Sequence, residues 1–352
     1  MLAWYRANAR DLPWRRTRDP YRIWLSEIML QQTRVKTVRP YYDRFTRAFP
    51  RVEDLAAAGA GEVLKLWEGL GYYSRARHLL EAARWVVREG GGRFPETAAE
   101  LVGLPGVGRY TAGAIASIAF GERAPVLDGN VKRVLARLFL VREPVDEGAT
   151  EARLWTLAAA LVSPRAPGDS NQALMELGAR VCRPRRPDCT VCPVRALCRA
   201  RAAGEAEALP ARRAARRALP HHEIVAAAIG RNGRYLFGQR PLGGLLGGLW
   251  EFPGGKVERG EAHAEALVRE LREELGVETA VGARIASLEH AYSHFRITLH
   301  LHRARISRGR PVPRFHTELK WLLPAQFDRY AFPAATRRLL AVLGRAKTGA
   351  KR

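Results

Sequence analysis

The sequence predicts two domains, an all-helical one followed by one of mixed helices and strands. Between residues 21 and 197, apolar residues recur at the spacing of amphipathic helices, as in IWLSEIMLQQTRV and SRARHLLEAARWVV. After residue 222 the pattern changes to alternating runs typical of strands, such as RYLFGQR and RITLHLHRARI, with one helix expected at 262–275. The stretch between them, 199–222, is rich in Ala, Arg, Glu and Pro and has no apolar periodicity, so we interpret it as a linker.

The charge of the chain favours a polyanionic partner. Its 59 Lys and Arg residues outnumber 35 Asp and Glu residues, which gives a formal net charge of +24 and a pI near 10.9. Such an excess attracts nucleic acid or an acidic membrane without conferring sequence specificity. The start of the chain lacks the apolar core of a signal peptide, and no run of 18 uncharged apolar residues occurs. We therefore expect a soluble, cytoplasmic protein with no membrane partner.

A turn rich in glycine precedes a strongly helical segment in LPGVGRYTAGAIAS, residues 104–117. Gly106 and Gly108 allow backbone amides at a helix N-terminus to approach a phosphate closely. A turn of this helix-hairpin-helix type would hold DNA without reading its bases. The alternative is an ordinary turn between two helices.

Two carboxylates occupy unusual positions. Glu27 interrupts the apolar helix IWLSEIML, where burial should raise its pKa, although an exposed position on an amphipathic helix is the alternative. Asp128, in VLDGNVKRVLAR, stands where the N-cap of a basic helix belongs. Capping alone, worth about 1 kcal/mol, would account for an isolated aspartate there.

All four cysteines fall within 17 positions of one another. One CxxC unit is flanked closely by single cysteines, whereas paired zinc ribbons separate two CxxC units by a dozen or more residues. Four thiolates this close can ligate a cubane iron-sulfur cluster, which we favour over zinc. The predicted ligands are Cys182, Cys189, Cys192 and Cys198.

The segments WLSEIMLQQT, GLGYYSRAR, LPGVGRYTAG, LDGNVKRVLAR and the cysteine run resemble, in order and spacing, the bacterial adenine DNA glycosylase (MutY) family. The resemblance covers essentially the whole chain. It implies a helix-hairpin-helix glycosylase domain with a [4Fe-4S] loop, followed by an α+β domain similar to Nudix (MutT-like) hydrolases. The implied glycosylase domain covers 1–200. It consists of a six-helix subdomain at about 20–127 and an iron-sulfur subdomain at 1–19 plus 128–200. A linker at 201–222, the Nudix-like domain at 223–343 and a basic tail at 344–352 follow.

The implied activity is removal of adenine mispaired with 8-oxoguanine or guanine in double-stranded DNA, by base flipping and hydrolysis of the N-glycosidic bond during base excision repair. Such cleavage builds positive charge on the sugar while the leaving purine needs a proton, so a proton donor and a fixed carboxylate are the minimal set. By resemblance Glu27 is the proton donor, and Asp128 stabilises or transiently bonds the sugar cation. We expect a monomer that works on the bacterial nucleoid.

Other residues receive roles by the same resemblance. Tyr110 and Asn130 would form supporting hydrogen bonds beside the sugar. Bifunctional pyrimidine glycosylases carry a lysine at the position of Tyr110, and a phenol cannot form their Schiff base, which predicts an enzyme without β-lyase activity. The loop Gln31, Gln32 and Thr33 would enter the base stack, with Tyr72 as a wedge unless it is a core residue. The residues expected to line the adenine pocket are Trp14, Arg15 and Gln172.

Two features of the second domain draw attention. In the segment 290–295, Ser293 and His294 resemble the residues with which the family reaches 8-oxoguanine, Tyr292 replacing the usual Phe; simple turn residues are the alternative. His300 and His302 share one face of a strand and are expected to face solvent.

The second feature is GGKVERGEAHAEALVRELREELGV, which fits a complete Nudix box. Glu270, Glu273 and Glu274 have the spacing with which active Nudix enzymes hold a divalent cation, here expected to be Mg²⁺. We favour a scaffold helix held by Glu–Arg pairs over a retained hydrolase of oxidised nucleotides, because ancestry of a fold does not establish activity.

Three rival functions are the alternatives. A bifunctional pyrimidine glycosylase conflicts with Tyr110 and has no use for the second domain. The other two are a Nudix nucleotide pyrophosphohydrolase fused to a DNA-binding module and an iron-sulfur DNA-binding regulator without enzymatic activity.

Overall fold

The structure, a computed structural model, describes residues 1–211 and 219–348, with side chains to residue 343. The centre of the predicted linker, 212–218, and the end of the predicted basic tail, 349–352, lie outside the described residues. The chain forms two compact units. Of the described residues, the first unit contains 1–57 and 78–211. The second unit contains 58–77 and 219–348.

The region before residue 211 is helical, as predicted. Its helices are α1 (Leu2–Asn8), α2 (Pro20–Leu30), α3 (Val35–Ala48), α4 (Val52–Ala57), α5 (Ala60–Trp67), α6 (Ser74–Gly90), α7 (Ala98–Leu101), α8 (Arg109–Ile115), α9 (Gly129–Leu138), α10 (Gly148–Leu161), α11 (Pro167–Arg180) and α12 (Arg199–Ala202).

Helix α2 begins with a proline at its first position and an Asp19 side chain that accepts the backbone N–H of Tyr21. Every residue from Ile23 to Met29 is buried, so this helix runs through the core with little exposed face. In the same unit α9, α10 and α11 pack through Val134, Leu154 and Leu174. The helix that carries Glu27 is therefore enclosed on nearly all sides.

The second unit contains a six-stranded mixed sheet. Its strands are β1 (His221–Arg231), β2 (Arg234–Gln239), β3 (Trp250–Glu251), β4 (Glu278–Ala291), β5 (Arg296–Arg308) and β6 (Glu318–Leu322). The order is β3-β2-β1-β5-β4, with β6 also paired to β2, and β1 runs parallel to β5 while the other pairs are antiparallel.

A helix covers each face of this sheet. Helix α13 (His263–Leu275), predicted at 262–275, packs Leu267 and Leu271 against Val225 of β1, and α14 (Ala334–Thr348) packs Leu339 against Phe237 of β2. These layers confirm the predicted α+β class of the second region. Across the described residues, the structure has no helix with the length and apolarity that a membrane crossing requires.

His300 and His302 were expected to face solvent, and this expectation is wrong. Their side chains are 7% and 9% exposed. They lie on the face of β5 that α13 covers, and the His263 ring, at the first position of α13, lies 4.3 Å from the His300 ring. Alternation along a strand predicts which residues share a face, but not whether a distant helix covers that face.

Gly113 provides a test of the packing that holds the first unit together. A Cβ at Gly113 would lie 2.2 Å from the carbonyl oxygen of Pro125, so α8 and the segment leading to Asp128 are in backbone contact. Gly113→Ala should lower the free energy of unfolding by about 1–3 kcal/mol, because the added methyl forces the segments apart. Thermal unfolding measures this. Gly148→Ala is the control, since its Cβ would meet no atom within 4 Å, and equal losses in both variants would contradict the explanation.

Candidate active site

A cavity of about 800 Å³ in the first unit brings together residues that lie far apart in the sequence. It is lined by residues predicted for three roles, catalysis, adenine binding and entry into the base stack. Those residues are Trp14, Arg15, Glu27, Gln31, Gln32, Thr33, Tyr110, Asp128, Asn130 and Gln172. A cavity of this size lies within the range of pockets that enclose small organic groups.

Glu27 is the buried carboxyl of this cavity. Its side chain is on α2, the residue is only 5% exposed, and Tyr110 Oη donates a hydrogen bond of 2.9 Å to its Oε2. Burial raises the pKa of Glu27 to about 7; the Tyr110 hydrogen bond and the charge of Arg15 lower it, whereas Asp128 raises it. At neutral pH this group therefore exists in both protonation states, as a proton donor requires.

Tyr110 is placed by the second position of α8. Burial raises its pKa well above the ordinary value, and the charges of Glu27 and Asp128 raise it further. The phenol is consequently a neutral hydrogen-bond donor. Its oxygen also lies 3.3 Å from Met175 Sδ on α11, so residues of three helices meet at this hydroxyl.

Asp128 is the N-cap of α9, as predicted. Its Oδ1 accepts the backbone N–H of Val131 at 2.7 Å and its Oδ2 accepts Nδ2 of Asn130 at 2.8 Å. Burial raises the pKa of Asp128, while these two hydrogen bonds and the charge of Arg133 lower it. Asp128 can cap α9 and also belong to the site, because one of its oxygens caps the helix while the side chain lines the cavity.

Asn130 is held in turn by Arg133. The guanidinium donates 2.8 Å hydrogen bonds to Asn130 Oδ1 and to the carbonyl of Gly178, and a 2.7 Å bond to the carbonyl of Cys182. A Cβ at Gly178 would lie 2.6 Å from the Asn130 Cβ. The close approach of α11 therefore fixes Asn130 beside Asp128.

Glu176 belongs to the site although sequence reasoning missed it. It lies on α11 four residues after Gln172, is fully buried, and forms ion pairs of 2.7 Å with Arg10 and 2.8 Å with Arg15. Burial opposes its ionisation, but the hydrogen bonds from both arginines outweigh burial and hold its pKa to about 2. Glu176 follows Gln172 at i, i+4 spacing, and this spacing could have indicated from the sequence that both residues share one face of the helix.

The loop after α2 contacts the glycine turn. Gln31 Nε2 donates to Thr111 Oγ1 at 3.2 Å, and Gln32 has a positive φ of 55°. Gly106 adopts φ +76°, and a Cβ there would lie 2.7 Å from the His78 side chain, so a side chain does not fit. Gly108 is the residue that precedes the first turn of α8.

The four cysteines are all partly exposed, and Cys189 and Cys192 each experience the charges of Cys182 and Cys198. Burial raises the pKa of the Cys189 and Cys192 thiols. Ionisation of all four cysteines therefore requires positive charge nearby. The buried Arg137 supplies part of it, since its Nη1 lies 3.2 Å from Cys182 Sγ and also donates to the carbonyl of Arg183. The Cys182 thiol beside a buried guanidinium, with three more cysteines in the same segment, fits a cluster ligated by thiolates.

In the second unit, Tyr72 is 42% exposed, which argues against a core position. Its hydroxyl lies 2.5 Å from Ser293 Oγ, so the predicted wedge and a predicted reader of the damaged base are in contact. His294, also predicted to read the damaged base, is exposed.

The Nudix-box carboxylates are engaged by other groups. Arg269 lies 3.0 Å from Glu270, 3.6 Å from Glu273 and 2.9 Å from Glu261. Glu274 is buried and accepts the N–H of Gly254, and burial together with Glu251 raises its pKa to about 8. Among the described residues, the ligand atoms of Glu270, Glu273 and Glu274 do not converge, whereas those of Glu274, Glu251 and His316 lie within 4.8 Å of one another, so the predicted set of Mg²⁺ ligands is not supported.

Comparisons with known proteins agree with this arrangement. Residues 25–160 match the HhH-GPD superfamily of base excision DNA repair proteins, and residues 224–342 match the NUDIX domain. The human protein named adenine DNA glycosylase is 40% identical over 97% of this chain and 73% of its own length. The Arabidopsis thaliana protein of that name is 44% identical over 72% of this chain and 46% of its length.

Among solved structures, that of a thermostable thymine-DNA glycosylase is similar, with a TM-score of 0.52 and 36% identity over 57% of this chain and 93% of that one. Identity of 40% across nearly the whole chain, including both matched regions, exceeds what a shared fold alone would give. The chain belongs to the adenine DNA glycosylase family.

Proposed function

We propose that this chain is a monofunctional adenine DNA glycosylase of base excision repair, acting on adenine opposite 8-oxoguanine or guanine. The observation that carries the proposal is the pair of carboxyls in one cavity, Glu27, which is buried and has a pKa of about 7, and Asp128, which is partly buried and fixed by two hydrogen bonds. This is the donor-and-carboxylate set that cleavage of an N-glycosidic bond requires.

In the reaction, the Glu27 carboxyl gives its proton to a ring nitrogen of the flipped adenine. The electron pair of the bond between the sugar and the base then leaves with the adenine, and the sugar becomes cationic. The Asp128 carboxylate stabilises that charge, and the hydrogen bonds from Val131 and Asn130 keep the carboxylate in place. Addition of water to the sugar, with loss of a proton, leaves an abasic site.

Fixed side chains would recognise the adenine. Glu176 holds Arg15 in the cavity wall through a buried ion pair, and Trp14 is buried beside it. A group held in this way loses little conformational entropy when the base enters. Gln172 lines the same cavity and offers an amide that can pair with the base edge.

Binding of DNA would use contacts from both units. The amides of the Gly106–Gly108 turn and the positive charge of the chain bind phosphates. Gln31, Gln32 and Thr33 fill the gap that the flipped base leaves. Tyr72 acts as the wedge in the base stack, and Ser293 and His294 contact the opposite strand and read 8-oxoguanine there. We infer a monomer that works on the bacterial nucleoid in the cytoplasm.

A [4Fe-4S] cluster would be held by Cys182, Cys189, Cys192 and Cys198. Such a group offsets part of the charge of four thiolates and fixes the loop that bears them. Arg137 donates to Cys182 Sγ, to backbone carbonyls of this loop and to the carbonyl of Leu209, which holds the segment on α9. The basic residues of the loop, Arg183, Arg185, Arg186, Arg195 and Arg199, would then be positioned for phosphate.

The first experiment is single-turnover release of adenine from a duplex with one adenine opposite 8-oxoguanine, without magnesium. Glu27→Gln and Asp128→Asn should each slow release by at least about 10²-fold, since each removes a group needed in the transition state. Glu81→Gln and Asp43→Asn, both exposed in the same unit, are matched controls and should react like the wild type. Normal rates in the two cavity variants would overturn the mechanism.

The pH dependence tests Glu27 as the acid. Release should slow as pH rises above about 7, because the proton of Glu27 is then lost. The Tyr110 hydrogen bond favours the ionised form of Glu27, so Tyr110→Phe should raise the pKa of Glu27 and move the falling limb to higher pH. A limb that stays in place, or moves to lower pH, would contradict this assignment.

The cysteine loop is tested by metal content. The purified chain should carry about four iron atoms and absorb visible light, and Cys192→Ser should lose iron and weaken binding to duplex DNA. Asp146→Asn, in a loop of the same unit, serves as the control. Zinc in place of iron in the protein purified without exposure to oxygen would favour the alternative metal.

A further inference from the structure

Three histidines and a glutamate meet in the second unit beneath the start of α13. Glu223 is on β1, His263 is the first residue of α13 and His300 is on β5. One ligand atom from each of the three lies within 4.8 Å of the others. His302 follows on the same face of β5, with its ring 6.1 Å from the His263 ring. These residues line neither the catalytic cavity nor the cavity beside the Nudix box.

His300 is oriented by hydrogen bonds at both ring nitrogens. Its Nδ1 lies 2.7 Å from Ser287 Oγ, and its Nε2 lies 2.5 Å from Glu223 Oε2. An imidazole fixed through one nitrogen, with the other turned toward a carboxylate, has the arrangement of a metal-binding histidine and its outer hydrogen bond. A hydrogen bond between Glu223 and His300 alone would explain these two residues, but it leaves His263 and His302 unexplained.

His302 supplies the second observation. The residue is nine-tenths buried, its Nδ1 lies 3.4 Å from the carbonyl oxygen of Gly282, and its Nε2 has no hydrogen-bond partner among the described residues. A buried polar nitrogen without a partner is costly and is uncommon in folded proteins. A cation bound next to this ring would give the nitrogen a partner.

We propose that Glu223, His263 and His300, with His302 as a further donor, bind one divalent transition-metal ion of the zinc class. Imidazole nitrogens with one carboxylate favour zinc and its neighbours over Mg²⁺ or Ca²⁺, which prefer sets made only of oxygen. The ion would link β1, β5 and the first turn of α13. Four protein donors leave no open position for a reacting water, so the site would be structural.

The test uses the full chain with its iron-sulfur cluster intact, dialysed against limiting ZnSO₄ at neutral pH, with zinc and iron measured by mass spectrometry. We expect about one zinc per chain, no change in iron, and a higher melting temperature in the presence of zinc. His263→Asn, which changes a half-buried residue at a helix start, should weaken zinc binding by more than about tenfold, and His300→Asn should do the same.

The matched control is His290→Asn, a histidine of β4 in the same unit outside the cluster, which should bind zinc like the wild type. Zinc that enters only as iron leaves would place the metal on the cysteines and overturn the proposal. Absence of zinc binding, or equal affinity in the wild type, His263→Asn and His300→Asn, would also overturn it. None of these results depends on adenine release, so failure of this site and failure of the proposed function are separable.

Discussion

The burial of one carboxyl group, that of Glu27, determines the chemistry available in the candidate active site. Helix α2 is enclosed on nearly all sides, so this carboxyl loses most of its hydration, and its pKa rises to about 7. The Tyr110 hydroxyl partly compensates that loss with a hydrogen bond. Tyr110 is carried by α8. This helix can lie in backbone contact with the segment that ends at Asp128 because Gly113 has no side chain.

The second carboxyl is tied to the cysteine loop through a single side chain. Arg133 bonds Asn130, which bonds Asp128, and the same guanidinium bonds the carbonyls of Gly178 and Cys182. Displacement of the loop would therefore weaken the hydrogen bonds that hold Asn130 beside Asp128. This arrangement gives the cysteine loop a physical means of affecting the position of the Asp128 carboxylate.

The second unit shows why a motif and an activity must be argued separately. Its Nudix box is complete in sequence, yet Arg269 pairs with Glu261, Glu270 and Glu273, and Glu274 is buried against Gly254. The Arg269–Glu261 ion pair and the Glu274–Gly254 hydrogen bond tie α13 to the segment that precedes it. The fold is that of the family, while its chemistry has to be established from these contacts.

Local pattern and spacing along the chain were enough to predict several features. Helical and alternating periodicity predicted both classes of structure, the helix at 262–275 and the capping position of Asp128, and an acid within an apolar helix indicated the burial of Glu27. Resemblance of motifs then gave the family. The ion pairs of Glu176 with Arg10 and Arg15, the exposure of Tyr72 and the burial of His300 and His302 became evident only in the folded chain. The reason is that burial and pairing depend on which distant segment packs over a residue, and periodicity along the chain does not carry that information.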